Sequence, residues 1–92
     1  VRFKVDERDE YTVVEVELPG VVTPDVLRGL QPPQVNPRKG VVLSGRAPVW
    51  LYAFLAHHYH PTLFVATFDP RIGAVVVQSH TPKYRAGDVL QI

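Results

Sequence analysis

Between Gly40 and Phe68 the sequence switches from a strand pattern to a helix pattern and back, and that order leaves few folds open. Gly40-Val-Val-Leu-Ser44 is an apolar run without alternation, the signature of a strand covered on both faces. Ser44-Gly45-Arg46 turns the chain into a helix that begins near Pro48, whose fixed φ suits a first turn, and runs to about His58. Thr62 to Phe68 is a second apolar β run. Strand, helix and strand in this order form a crossover, predicted to be right-handed with its two strands parallel. The fold class is therefore α/β.

The flanking segments add strands around that core. Gly73 to Gln78 is another apolar β run, too close behind the previous one for anything but a hairpin through Asp69-Pro70-Arg71. Ahead of the crossover, Arg2 to Val5 and Tyr11 to Leu18 alternate, with Asp6 to Glu10 as the turn. Thr12, Val14, Val16 and Leu18 share one face, and Tyr11, Val13, Glu15 and Glu17 share the other, so this hairpin is predicted to have one wetted face. Thr23-Pro24-Asp25 reads as a second helix start, with Thr23 as N-cap, ending near Leu30. Gln31 to Lys39, with three prolines, is an irregular connection, Thr81 to Asp88 is a polar one, and Val89 to Ile92 can add a last short strand. The expectation is a mixed sheet with two helices in a single domain spanning residues 1–92, a length that suits one small core.

Composition excludes several chemistries. Without cysteine there is no disulfide, thiolate nucleophile or thiolate-held metal. The longest uncharged apolar stretch, Ala47 to Phe68, is broken by Pro48, three histidines and Pro61, which argues against a membrane span. No basic-then-apolar segment suggests export, and a cytoplasmic protein is expected. The formal net charge is only +1, too small for a protein that coats double-stranded DNA. That total hides two opposite fields. Residues 1–25 hold seven acids against three bases, a balance of −4, and residues 26–92 hold seven bases against two acids, a balance of +5. A small anionic ligand needs a few placed arginines rather than a basic surface.

Ser44, Gly45 and Arg46 lie where a buried strand meets a helix amino terminus. Free N–H groups and the helix dipole there favour an anion, Gly45 permits close approach, and Arg46 can fork onto a phosphate; the same turn also reads as a tight turn with a solvated arginine. If the crossover strands are parallel, Asp69 sits beside Ser44 at their carboxyl ends, the edge where open α/β sheets bind ligands, and Arg46 and Arg71 converge on one rim. Asp69 could equally be a turn-forming carboxylate ahead of Pro70. His57, His58 and His60 crowd the helix end, with His80 after the next strand. His57 and His60 share a face with Ala53 and Ala56, whereas His58 groups with Trp50, Leu51, Phe54 and Leu55 and is expected to be a packed or interfacial histidine rather than a ligand. Imidazoles gathered this way suit a borderline divalent ion, or they simply complement the helix dipole. A helix of about eleven residues is roughly 16 Å long, so one chain cannot bring the Ser44/Asp69/Arg71 rim and the His57/His60/His80 edge to one phosphate.

Three blocks are more specific than any spacing argument: PRKGVVLSGRAPVWL from Pro37 to Leu51, FLAHHYH from Phe54 to His60, and FDPRIGAVVVQSH from Phe68 to His80. Together they closely resemble the small CRISPR-associated ring nucleases of type III systems. The resemblance covers roughly residues 36–80 and is weaker in the amino-terminal hairpin and the tail. It implies a truncated Rossmann-like fold and a manganese-dependent phosphodiesterase that binds and cleaves cyclic tetra-adenylate or short RNA, switching off antiviral signalling. By position, His60, Asp69 and Arg71 match the family's catalytic residues, Ser44, Gly45 and Arg46 its ligand-facing turn, and His57 and His80, with Asp69, fall where side chains could serve the Mn2+ ion. The departure is Pro61, which follows His60 and bears on how its backbone is held. The resemblance also implies homodimers that stack as tetramers or filaments around the ligand, so that one dimer acts on what another holds. A non-catalytic sensor or sponge for the same ligand is the alternative.

Overall fold

The apolar runs become neighbouring strands of one sheet. In the computed structural model, which describes residues 1–92, the strands are β1 (Arg2–Glu7), β2 (Tyr11–Glu17), β3 (Gly40–Ser44), β4 (Phe64–Asp69), β5 (Gly73–Ser79) and β6 (Val89–Leu90). Their spatial order is their chain order. β2, β3 and β4 run parallel to their neighbours, while β1 on one side and β5 and β6 on the other add antiparallel. One α-helix, α1 (Val49–His58), makes the β3–β4 crossover. It is ten residues long, and no helix is long and apolar enough to cross a membrane.

The continuous apolar pattern of β3 has the expected cause, burial on both faces. Against one face of the sheet, Leu51, Leu55 and Tyr59 of the helix side pack on Val14, Val16, Val41, Leu43 and Val65, with Leu27, Leu30 and Val35 from the β2–β3 connection beside them. Full burial of each leucine contributes about 1.5–3 kcal/mol. The other face gathers Val42, Phe64, Ala66, Ala74 and Val76. No helix covers it; the carboxyl-terminal segment does, through Tyr84, whose ring centre lies 4.7 Å from that of Phe64, and Leu90.

Three sequence expectations change. The second face of β2 is not simply wetted, because Tyr11 and Val13 are half-buried against the Phe64 cluster; only Glu15 and Glu17 carry the polar half of the pattern. The second helix is a 3₁₀ element, Pro24–Gly29, and the Thr23 hydroxyl meets the Asp25 carboxylate instead of capping a backbone N–H. Six residues make too few i→i−4 bonds to offset the cost of nucleating an α-helix. His58 is exposed in the single chain, which removes the packed reading and leaves the interfacial one. Tyr59, one step on, fills the space over the sheet, and the His58 ring rests edge-on against it with centres 4.8 Å apart.

Candidate functional site

Because β3 and β4 are parallel with Leu43 opposite Thr67, Ser44 and Asp69 both lie at the carboxyl ends of their strands. A groove of about 530 Å³ opens there, lined by Gly45, Arg46, Tyr52, Phe68, Asp69 and Arg71 among others. A second depression, shared through Gly45, Arg46, Phe68 and Pro70, extends it to Ser44 and Glu15. The two arginines that sequence placed on one rim therefore line one groove. Gly45 turns the chain with φ +111°, and a Cβ there would stand 2.3 Å from the Val16 carbonyl oxygen. Only glycine lets the turn lie this close to β2. The helix that follows starts at Pro48 with no side-chain cap and no acid in its first turn, which leaves the positive end of its dipole and its first N–H groups facing outward.

Asp69 and Arg71 form a built pair across the β4–β5 turn. The Arg71 backbone N–H donates to Asp69 Oδ1 at 2.9 Å, its Nε to the same oxygen at 3.2 Å, and its Nη2 to Oδ2 at 3.0 Å. The side-chain bonds from Arg71, then its backbone bond, hold the Asp69 carboxyl below its ordinary value, and Asp69 in turn raises Arg71. Two of the five guanidinium donors are used, so the rest of an oriented fork stays free for a ligand. Arg46 is exposed and has no ion-pair partner. Tyr52 ties the turn to the helix by donating from its hydroxyl to the Gly45 carbonyl oxygen at 2.6 Å. Burial, and then the Glu15 carboxylate, push its phenol up, so it remains a donor.

The histidine edge is at the opposite end of the sheet. Asp69 pairs with Gly73 at the hairpin tip, while Phe64, five ladder steps away, pairs with Ser79, the residue before His80. At about 3.4 Å per step this is roughly 17 Å. There the rings of His60 and His80 meet edge to face, 5.0 Å between centres. Gln78 contacts the His60 ring and backbone, and His80 Nε2 lies 3.0 Å from the His60 carbonyl oxygen. The turn that carries His60 is held by buried neighbours: Tyr59 donates its hydroxyl to the Pro33 carbonyl, and Thr62 donates to the Tyr59 carbonyl. Pro61 fits between them because the turn's bonds use the N–H groups of His60 and Thr62. It leaves no unmet donor.

Comparison with known proteins places these features in a family. The model of the CRISPR-associated protein Cas_csx3 matches residues 15–91, a span that holds the groove and the histidine edge. The chain belongs to the Cas_csx3 family. A relative from Aquifex aeolicus (strain VF5), described as an uncharacterized protein, is 45% identical over 97 aligned residues, covering 99% of this chain and 87% of that one.

Within one Cas_csx3 chain the residues expected to serve a metal do not gather. No group of three histidine or acidic side chains is poised around a common point, because Asp69 is spent on Arg71 at one edge and His80 lies at the other. Three contributors escaped the sequence reading. Glu15 looked like one of several surface acids, and only the β2–β3 register, which sets it opposite Ser44, brings it to the groove. Tyr52 gave no signal beyond helical phase. Gln78 is brought to His60 by an irregularity in strand pairing that no residue type announces.

Proposed function

We propose that this Cas_csx3 protein is a cytoplasmic ring nuclease that binds cyclic tetra-adenylate, or the 3′ end of a short RNA, and cleaves it, ending a type III CRISPR signal. The observation that carries this reading is the meeting of Arg46, the uncapped start of α1 and the Asp69-held Arg71 in one groove at the carboxyl edge of parallel strands. That is the chemistry of a phosphate grip. The parallel β2–β3–β4 core with its single α-helix crossover supports kinship with a truncated Rossmann-like fold, reduced to a helix on one face.

In the proposed step a ribose 2′-oxygen attacks the neighbouring phosphorus, the O2′–P bond forms and the P–O5′ bond breaks. His60 takes the 2′-hydroxyl proton and can return it to the departing 5′-oxygen. Arg71, aimed by Asp69, stabilises the charge that builds on the phosphorane oxygens. Since the grip and His60 lie about a sheet length apart, His60 acts on ligand held by another copy, and a homodimer stacked on a second dimer is the working assembly. Incubation with cyclic tetra-adenylate, with and without manganese, is expected to give linear and then shorter products, which His60→Ala abolishes. Mixing Arg46→Ala with His60→Ala chains should restore part of the activity. Tight binding without turnover would instead favour a sensor or sponge, and a mixture as inactive as its parts would show that each subunit holds a self-contained site.

A further inference from the structure

The geometry points to Gln78 as the positioning residue that fixes which nitrogen of His60 carries its proton; the inference rests on His60 as the acid–base group of the nuclease reading. It begins with the β4–β5 ladder. Thr67 pairs with Val75 and Ala66 with Val76, but Val65 then pairs with Gln78, so the ladder bulges at Val77. In an unbroken ladder Gln78 would share a face with Val76 and Ala66, away from α1. Paired with Val65, whose side chain packs under the helix, it comes instead to the face where the chain leaves α1. Bulges re-aim side chains in this way.

Once there, the Gln78 amide spans His60. Its Nε2 lies 3.0 Å from the His60 carbonyl oxygen and its Oε1 lies 3.1 Å from His60 Nδ1. A backbone carbonyl can only accept, so the amide must turn its NH₂ toward it and its oxygen toward the ring. An oxygen in that place requires a proton on Nδ1. Neutral His60 is therefore held as the Nδ1–H form with Nε2 unprotonated, the nitrogen then free to take a proton from a 2′-hydroxyl. His80 adds to the frame, since its Nε2 at 3.0 Å from the same carbonyl must also donate. A ring in the wrong tautomer has its lone pair on the wrong side, which disables a general base whose position is otherwise intact.

The test reads the tautomer directly and independently of turnover. Long-range ¹H–¹⁵N correlation spectra at about pH 9, where imidazoles are neutral, should show His60 as Nδ1–H in the wild type. Gln78→Leu should shift it toward Nε2–H, lower kcat about tenfold to a hundredfold with KM little changed, and leave the melting temperature within a few degrees. Gln78→Glu still offers an acceptor to Nδ1–H but no donor to the His60 carbonyl, so it should keep the Nδ1–H signature and recover part of kcat. A wild-type Nε2–H signal, or an Nδ1–H signal that persists in Gln78→Leu, overturns the proposal. An unchanged kcat in a Gln78→Leu chain whose tautomer has shifted overturns its catalytic part. If the tautomer responds as expected while no chain cleaves oligoadenylate, the lock stands and the nuclease reading fails. Should Gln78→Leu not fold, the wild-type and Gln78→Glu spectra still decide.

Discussion

Gly45→Ala probes the turn that brings strand β3 to the groove, and its cost can be built from two separate terms. The backbone there has φ +111°, and a new Cβ would sit 2.3 Å from the Val16 carbonyl oxygen and 3.0 Å from the Val16 nitrogen. A left-handed conformation costs a non-glycine residue roughly 1–2 kcal/mol. Overpacking adds about 1–3 kcal/mol, and Val16 has little room to yield because it is buried within β2, between β1 and β3. The sum, about 2–5 kcal/mol, lowers the melting temperature of a domain this size by on the order of 10–30 °C. Gly87→Ala isolates the first term, since Gly87 has φ +100° and nothing within 4 Å of the added atom; about 1–2 kcal/mol is expected there. Thermal unfolding followed by circular dichroism, with urea titration as a check, compares the two. If Gly45→Ala melts with Gly87→Ala, the Val16 contact yields freely and the rigid-turn argument is wrong.

Other variants separate grip from scaffold. Arg46→Ala and Arg71→Ala should each weaken binding of cyclic tetra-adenylate by about tenfold to a hundredfold, as expected for loss of a charge-assisted contact, measured by titration calorimetry at fixed salt. Arg71→Lys should fare little better than alanine, because an ammonium cannot copy the fork that Asp69 orients. The Asp69 carboxyl is depressed in the folded state by Arg71, so its contribution to stability is present above its unfolded value and is lost as pH falls through the lower folded one. Urea midpoints of wild type and Asp69→Asn should therefore converge only below about pH 4. Burial pushes the Tyr59 phenol up to about 12, so the wild type should lose stability as pH rises from about 10 to 12. Tyr59→Phe, weaker by about 1 kcal/mol at pH 7 for want of the bond to Pro33, should close that gap over the same alkaline range. A gap that stays constant would mean the phenol is not held neutral by the fold.

The residues that sequence placed well are those whose burial is written in their neighbours. β3, α1, β4 and β5 could be read because Gly40–Ser44 is buried along nearly its whole length and Val49–His58, Phe64–Asp69 and Gly73–Ser79 each carry apolar residues into the core, and the crossover then dictates that Ser44 and Asp69 share an edge. The prolines after Leu30 marked an irregular path, yet nothing in Pro24–Gly29 distinguishes six residues of 3₁₀ from a short α-helix. The tail that covers Phe64 was invisible because Tyr84 sits in a polar stretch and reaches its partner only through the fold. Gln78 was illegible for a related reason: Val75-Val-Val-Gln78 reads as regular alternation or as a bulge equally well, and only pairing with β4 decides. Of the site, sequence supplied Arg46, Asp69 and Arg71 and the two edges, but not Glu15, Tyr52 or the hydrogen-bond frame around His60.

A sheet whose spatial order repeats its chain order is built from pieces that can form before they meet. β1–β2 and β4–β5 are hairpins closed by three-residue connections, the kind of element that forms in microseconds, while β3 must wait for a partner on either side. The groove takes Glu15 from the first hairpin, Ser44 to Arg46 from the end of β3, and Asp69 to Arg71 from the second hairpin. It exists only when all three have joined. A phosphate ligand seated there would clamp the seam between the pieces and draw the population toward the fully assembled sheet, and its capture would then be linked to completion of folding.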